Sequence, residues 1–265
     1  MALIGAVGTV GVHADDTNKL ALANYEAMAT ASAVASAGDA AVQTAAGPTN
    51  KPVWESTLTF GLTLTSGNSD TLLANTSFAT HRDNPTNEWL LGADAAYGEN
   101  NSVKNAETLH GYGQYNHRFS DRWFGYVRAD GLHDGIADVD YRVTLSPGAG
   151  YYFIKRKETT LAAEAGPAVL LEKLDGEHKI YCTPRLAERF EHKLDAHARV
   201  WQNVEFLPQV DKPENFLLNA EVGVEAALTK KLSLRTVVDD NYANIPAPGR
   251  EDNDVKIVSG LVYKF

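Results

Sequence analysis

The sequence predicts an all-β fold: a single antiparallel, up-and-down transmembrane β-barrel of about twelve strands, after a disordered or weakly helical N-terminal segment. Three observations carry this expectation. Segments of roughly ten residues alternate apolar and polar side chains, which gives each one oily face and one polar face. The connections between segments alternate in length. The last segment is itself such a strand, with Val255, Ile257, Leu261, Tyr263 and Phe265 on one face, as a closed sheet needs when its last strand must pair with its first.

Composition narrows the alternatives without choosing the fold. The chain has 265 residues, a hydrophobic fraction of 44% and a formal charge of −10, with a mean hydropathy of −0.28. No apolar run reaches the roughly 18 to 20 residues of a membrane helix, but alternating strands average to neutral hydropathy and escape that test. The acidic balance argues against a nucleic-acid partner. Cys182 is the only cysteine, so neither a disulfide framework nor a cysteine metal cluster is expected.

In chain order, residues 1–14 read as a signal peptide truncated at its basic start. Ala2 to Val12 are apolar, and Val12-His13-Ala14 precedes Asp15-Asp16, a pattern that suits signal peptidase. A flexible terminus is the plain alternative. Residues 15–51 are rich in Ala, Ser, Thr and Gly and carry too little apolar area to dock; they read as a periplasmic linker, with a lumen plug as the sharper alternative. The barrel occupies 52–265. It opens with Trp54, Ser56, Leu58, Phe60, Leu62 and Leu64 alternating with polar residues, followed by a turn through Ser66, Gly67, Asn68 and Ser69. Further strands are expected near 71–82, 87–98, 106–119, 122–133, 141–154, 160–171, 179–190, 195–206, 215–228, 231–242 and 254–265. Short connections fall at 83–86, 120–121, 155–158, 191–194 and 229–230, and longer ones at 99–105, 134–140, 172–178, 207–214 and 243–253. Pro147, Pro167 and Pro184 interrupt three successive strands, which implies either bulges or misplaced strand boundaries.

If the apolar faces look at lipid, the opposite faces line a lumen. Arg128, Arg142, Glu164, Arg185, Arg189, Arg199, Glu221, Arg235 and Asp239 then point inward. Arg128, Arg142, Arg185 and Arg235 are the constriction candidates, opposite Glu164 and Glu221. Interleaved signs imply mutual pairing, because a lone charge in a narrow barrel is costly to desolvate. His110 and His197 are expected as lumen hydrogen-bonding groups. Catalytic motifs are missing: no Gly-x-Ser-x-Gly, no His-Glu-x-x-His, no phosphate loop and no Cys-x-x-Cys. Asp134, Asp138 and Asp140 lack a calcium-loop pattern and read as an acidic solvated loop. No enzymatic activity, cofactor or metal is expected.

Two resemblances add to this. Aromatic residues at the last and third-last positions, Phe265 and Tyr263, resemble the C-terminal signature of bacterial outer-membrane barrels. That implies the outer membrane as location, its lipid and lipopolysaccharide as surroundings, and the barrel-assembly machinery as a partner through the last strand. The run from Gly61 to Thr71 resembles the opening hairpin of the salt-induced outer-membrane protein family, a family of unknown function. Arg128-Ala129-Asp130, Pro147-Gly148-Ala149-Gly150-Tyr151, Glu164-Ala165-Gly166-Pro167 and Arg185-Leu186-Ala187-Glu188-Arg189-Phe190 are similar to its later strands. The likeness spans about residues 54 to 265 and implies a barrel linked to salt response, with no activity attached. The functional expectation is a narrow charge-lined passive channel for small ions or solutes, or a salt- or osmotic-stress-responsive envelope protein. A structural barrel with an occluded lumen and a lipid-acting enzyme are the alternatives.

Overall fold

A computed structural model describes residues 53–65 and 71–265. The expected signal segment 1–14, the linker 15–51 and the turn 66–69 lie outside the described residues. The alternating segments form twelve strands: β1 Trp54–Thr65, β2 Thr71–Asp83, β3 Asn87–Asn100, β4 Val103–Arg118, β5 Trp123–Asp134, β6 Val139–Lys155, β7 Thr159–Leu174, β8 Glu177–Lys193, β9 Ala198–Pro208, β10 Phe216–Ala227, β11 Leu232–Ala243 and β12 Asn253–Lys264. Each pairs antiparallel with its sequence neighbours, and β12 returns to β1 to close the barrel. The closing pairs run only from Thr57↔Lys264 to Phe60↔Leu261, and Ser56 and Phe265 exchange two further backbone hydrogen bonds at the rim.

The period of two sorts the side chains as expected. Phe60, Leu62, Val222 and Ile257 are exposed on the outer wall, while Glu88, Gln114, Arg185 and Glu225 are buried in the bore. This inverts the arrangement of a protein that folds in water. It suits hydrocarbon, where burying each large apolar side chain contributes about 1.5–3 kcal/mol. The start of β1 and the end of β12 lie on one rim, here the terminal rim, together with the turns 84–86, 119–122, 156–158, 194–197 and 228–231. Trp54, Trp89, Trp123, Tyr263 and Phe265 stand outward near it, where interfacial aromatics belong.

On the distal rim the expected alternation of loop length holds only in part. Segments 135–138, 209–215 and 244–252 are true loops. The expected long connections at 99–105 and 172–178 are instead two-residue turns at 101–102 and 175–176. Positive φ at Asn101, Ser102, Asp175 and Gly176 gives the turn twist that matches flanking strands. The sequence around them looks like loop because these hairpins outrun the 9–11 residues that cross a bilayer. Both faces there are wet, so the apolar alternation stops while the backbone ladder continues.

The three prolines are explained by neither expected cause. The ladder between β6 and β7 stops at Leu145↔Val169 and resumes at Ala149↔Ala165 with no change of register. Pro147 therefore stands opposite Pro167, and Pro167 is paired with Pro184. Neither Pro147 nor Pro167 has an N–H to give, so three cross-strand pairs are lost without a bulge. On β9 the row reaches Pro208, whose carbonyl receives the Thr183 hydroxyl at 2.7 Å. Val210 N bonding to Cys182 O at 3.0 Å then keeps the register beyond it. Cys182 faces outward.

Candidate functional site

Alternation along each strand delivers the charged side chains to the lumen, and the lumen joins them into networks. In the middle of the bore, Arg185 bonds Glu164 at 2.8 Å and also Glu205. Arg189 lies 3.7 Å from the same Glu164. Gln114 donates to Glu164 and to Asn116, both at 2.9 Å, and Asn116 donates to Glu88 at 2.8 Å. Glu88 in turn meets His81 at 3.1 Å and Arg118 at 3.3 Å. Arg128 holds Asp130 at 2.7 Å and Gln114 at 3.2 Å. Glu164 is 3% exposed and Arg185 2%, so these are desolvated pairs, which hold only because each charge has its complement.

A second network lies toward the terminal end. Glu225 takes Arg199 and Arg235, each at 2.9 Å, and Lys264 at 2.6 Å. Glu221 accepts from the Trp201 indole and from Asn203, the latter at 3.0 Å. Asp239 lies among Glu221, Asp94 and Lys256, with neither carboxyl oxygen hydrogen-bonded within the described residues. It borders cavities of about 30 and 50 Å³, polar and roomy enough for water.

The lumen also holds aromatic rings that the sequence reading did not place there. Phe124, Tyr126, Tyr152 and Trp201 point inward in the terminal half, with Phe124 and Tyr152 ring centroids 5.0 Å apart. Two of these rings lie over a glycine on the neighbouring strand: Phe124 is paired with Gly150 and Trp201 with Gly223. A Cβ at either glycine would sit 2.0 Å from the ring, so only glycine admits the ring there. Arginines stack on the ring faces: Arg185 is 5.3 Å from the Tyr126 centroid, and Arg199 and Arg235 are 5.0 and 5.6 Å from that of Trp201. Cation–π contact of this kind, out of water, reinforces the ion pairs. The signal was available: Phe124 and Tyr126 share their parity with Arg128, and Trp201 shares that of Arg199.

The candidate constriction is thus not a ring. Arg128 and Arg185 meet near Glu164, whereas Arg235 bonds Glu225 rather than Glu221. Arg142 stands apart near the distal mouth, on Glu172 at 2.9 Å. It helps line a vestibule of about 180 Å³ under the loop 244–252. That loop folds inward, with Ala247 buried against Val139 and Leu174. Arg250 donates to Asp138 at 2.5 Å, tying the loop to the β5–β6 connection. This hydrogen bond holds the Asp138 carboxyl below its ordinary range.

His110 is a lumen group as expected, bonded to Asp94 at 2.9 Å. His197 is not: it is exposed in the turn 194–197, one residue short of β9, so its side chain never enters the alternation. The three loop aspartates go separate ways. Asp134 caps the N–H groups of Ile136 and Ala137, Asp138 takes Arg250 and Asp140 takes Lys173. No metal-ligating group of three or more side chains occurs among the described residues. Among the described residues, the histidine rings meet the side chains of Glu88, Asp94, Asp130, Asn87, Tyr141 and Thr159.

Solved structures similar to this one include the NanC porin, at 9% identity and a TM-score of 0.49, covering 79% of this chain and 98% of that one. The KdgM porin has 8% identity and a TM-score of 0.44, covering 80% of this chain and 99% of its own. The translocator domain of the autotransporter NalP from Neisseria meningitidis has 13% identity and a TM-score of 0.44, covering 97% of this chain and 100% of its own. No curated protein matches the chain. A family model does match, over residues 58–265, which is nearly the whole barrel. The chain belongs to the family described as protein of unknown function, DUF481.

Proposed function

We propose that the protein spans a bacterial outer membrane as a barrel closed at rest, an element of the envelope rather than a free-running pore. The observation that carries this reading is the terminal half of the lumen. Phe124, Tyr126, Tyr152 and Trp201 fill it, and the charges beside them are held in ion pairs. The outward apolar face, the aromatics near the terminal rim and the polar interior support the location, since a spanning sheet must close on itself and show hydrocarbon an oily wall. The resemblance to a salt-induced family supports a part in the response to salt or osmotic stress. Outer-membrane lipid and lipopolysaccharide surround the barrel in this reading, and the assembly machinery receives its last strand.

A narrow passive channel for small charged solutes is the second reading. It draws on the distal vestibule of about 180 Å³ and the 50 Å³ cavity, which share Asn219 and Asn241 in their walls. Planar-bilayer recording separates the two. Protein shown to be folded by its heat-sensitive gel mobility is expected to give no conductance steps. Steady single-channel steps from the unaltered chain at low voltage overturn the closed reading and leave the channel.

A further inference from the structure

The outward wall departs from its apolar pattern at Glu188. This residue faces away from the lumen on β8, between Leu186 and Phe190, with Val204 opposite on β9. Gln202 donates to its Oε2 at 3.2 Å, and no lysine, arginine or histidine pairs with it among the described residues. A carboxylate on a lipid-facing wall is costly unless a cation or hydrogen-bond donor meets it.

Beside Glu188 the wall is dented by a groove of about 440 Å³ across β6 to β9. Its shape follows from the ladder. Tyr151, Ala163 and Glu188 are consecutive partners on β6, β7 and β8, and the next outward row is Ala149, Ala165 and Leu186. Alanines in the middle columns leave a trough between Tyr151 on one flank and Leu186 with Phe206 on the other. It runs about 13 Å along the strands, from Ala163 to the proline row. Its terminal end is polar on both sides. Glu188 stands two strand spacings, about 10 Å, from Tyr151. Arg122, in the turn 119–122, donates to the Tyr151 hydroxyl at 3.1 Å. Trp123 packs on Tyr151 with centroids 4.8 Å apart, which puts this end at the depth where interfacial aromatics sit.

An acid and a base at one end of an apolar trough repeat, with opposite signs, the layout of a zwitterionic lipid. We propose that this groove binds one phospholipid with a protonated primary-amine head group. The ammonium lies on Glu188 and Gln202, the phosphate on Arg122, and an acyl chain over Ala163, Ala165 and Ala149. A second copy of the barrel fits less well, because a two-fold interface needs a self-complementary surface and a trough does not mate with itself. The proposal rests on the membrane reading above.

Native mass spectrometry of the full chain released from detergent micelles tests it, with dioleoyl phosphatidylethanolamine, phosphatidylcholine and phosphatidylglycerol offered in turn. Wild type is expected to retain the ethanolamine lipid over the other two. Glu188→Gln is expected to lower that retention about tenfold, the loss of one charge-assisted hydrogen bond, while the heat-sensitive gel band persists. Ala163→Leu, which fills the trough, lowers retention of all three lipids. Equal retention of the three by wild type, preference for the glycerol lipid, unchanged retention by Glu188→Gln, or dimers without bound lipid each overturn the proposal. A chain that stays monodisperse without detergent overturns the membrane reading itself, which is a different failure.

Discussion

Glu225 is the residue on which the terminal half of the lumen turns. Three cations converge on its carboxylate, which is only 2% exposed. Breaking a buried pair from one side costs about 3–5 kcal/mol, because the remaining charge stays buried and uncompensated. Glu225→Ala is therefore expected to lower the urea midpoint of the folded barrel in micelles, followed by tryptophan fluorescence. Glu225→Gln, which keeps the shape and some hydrogen bonds, is expected to cost less. Equal stability of wild type and Glu225→Ala would sink the account of this cluster. Legibility at this scale divides cleanly. Parity places Arg199 and Arg235 in the lumen, since charge and an apolar opposite face agree. It does not place Trp201 and Phe124 there, because a large apolar side chain on a membrane strand reads as lipid-facing until its neighbours two residues away are consulted. Their glycine partners, Gly223 and Gly150, lie on other strands, so the sequence hides the match until the register is known.

The loop 244–252 is the element whose hold on the barrel is expected to respond to pH. Its hold on the distal mouth combines buried Ala247 with the Arg250–Asp138 hydrogen bond. Arg250 keeps the folded Asp138 carboxyl below its usual range. A depressed carboxyl contributes fully above the unfolded value of about 3.9 and is lost as pH falls through the folded value. The Arg250–Asp138 pair is therefore intact at neutral pH and lost in acid. Hydrogen exchange of residues 244–252 is expected to be slow at neutral pH, once corrected for intrinsic rates, and faster below the ordinary aspartate range. Arg250→Gln is expected to speed exchange at neutral pH and flatten its dependence on acid; unchanged protection in the variant shows that this pair does not hold the loop. Element boundaries across the membrane were legible because one wet and one oily face impose a period of two. Beyond the bilayer that constraint lapses, and the hairpins at 101–102 and 175–176 looked like long loops. Asp175-Gly176 still carried the local turn chemistry that marks a tight hairpin, and it is the signal that would have corrected the reading.

At the scale of the whole molecule, the proposed closure rests on two layers acting together. In that reading the aromatic rings block the section, and the ion pairs hold the side chains beside them. Interiors packed in this way resist gradual deformation and change state only when a piece is removed. Truncating Trp201 and Tyr126 together removes two rings from the terminal half, each with an arginine stacked on it. The double variant Trp201→Ala/Tyr126→Ala is expected to conduct in planar bilayers where wild type is silent. Its ion preference is expected to be weak, because the wall carries both signs in interleaved pairs. Glu225→Gln added to that background leaves Arg199, Arg235 and Lys264 without their shared acid. The reversal potential in a salt gradient is then expected to move toward anions. Conductance without that shift would mean that ions bypass the Glu225 cluster, and a silent double variant would mean that the barrel is blocked elsewhere.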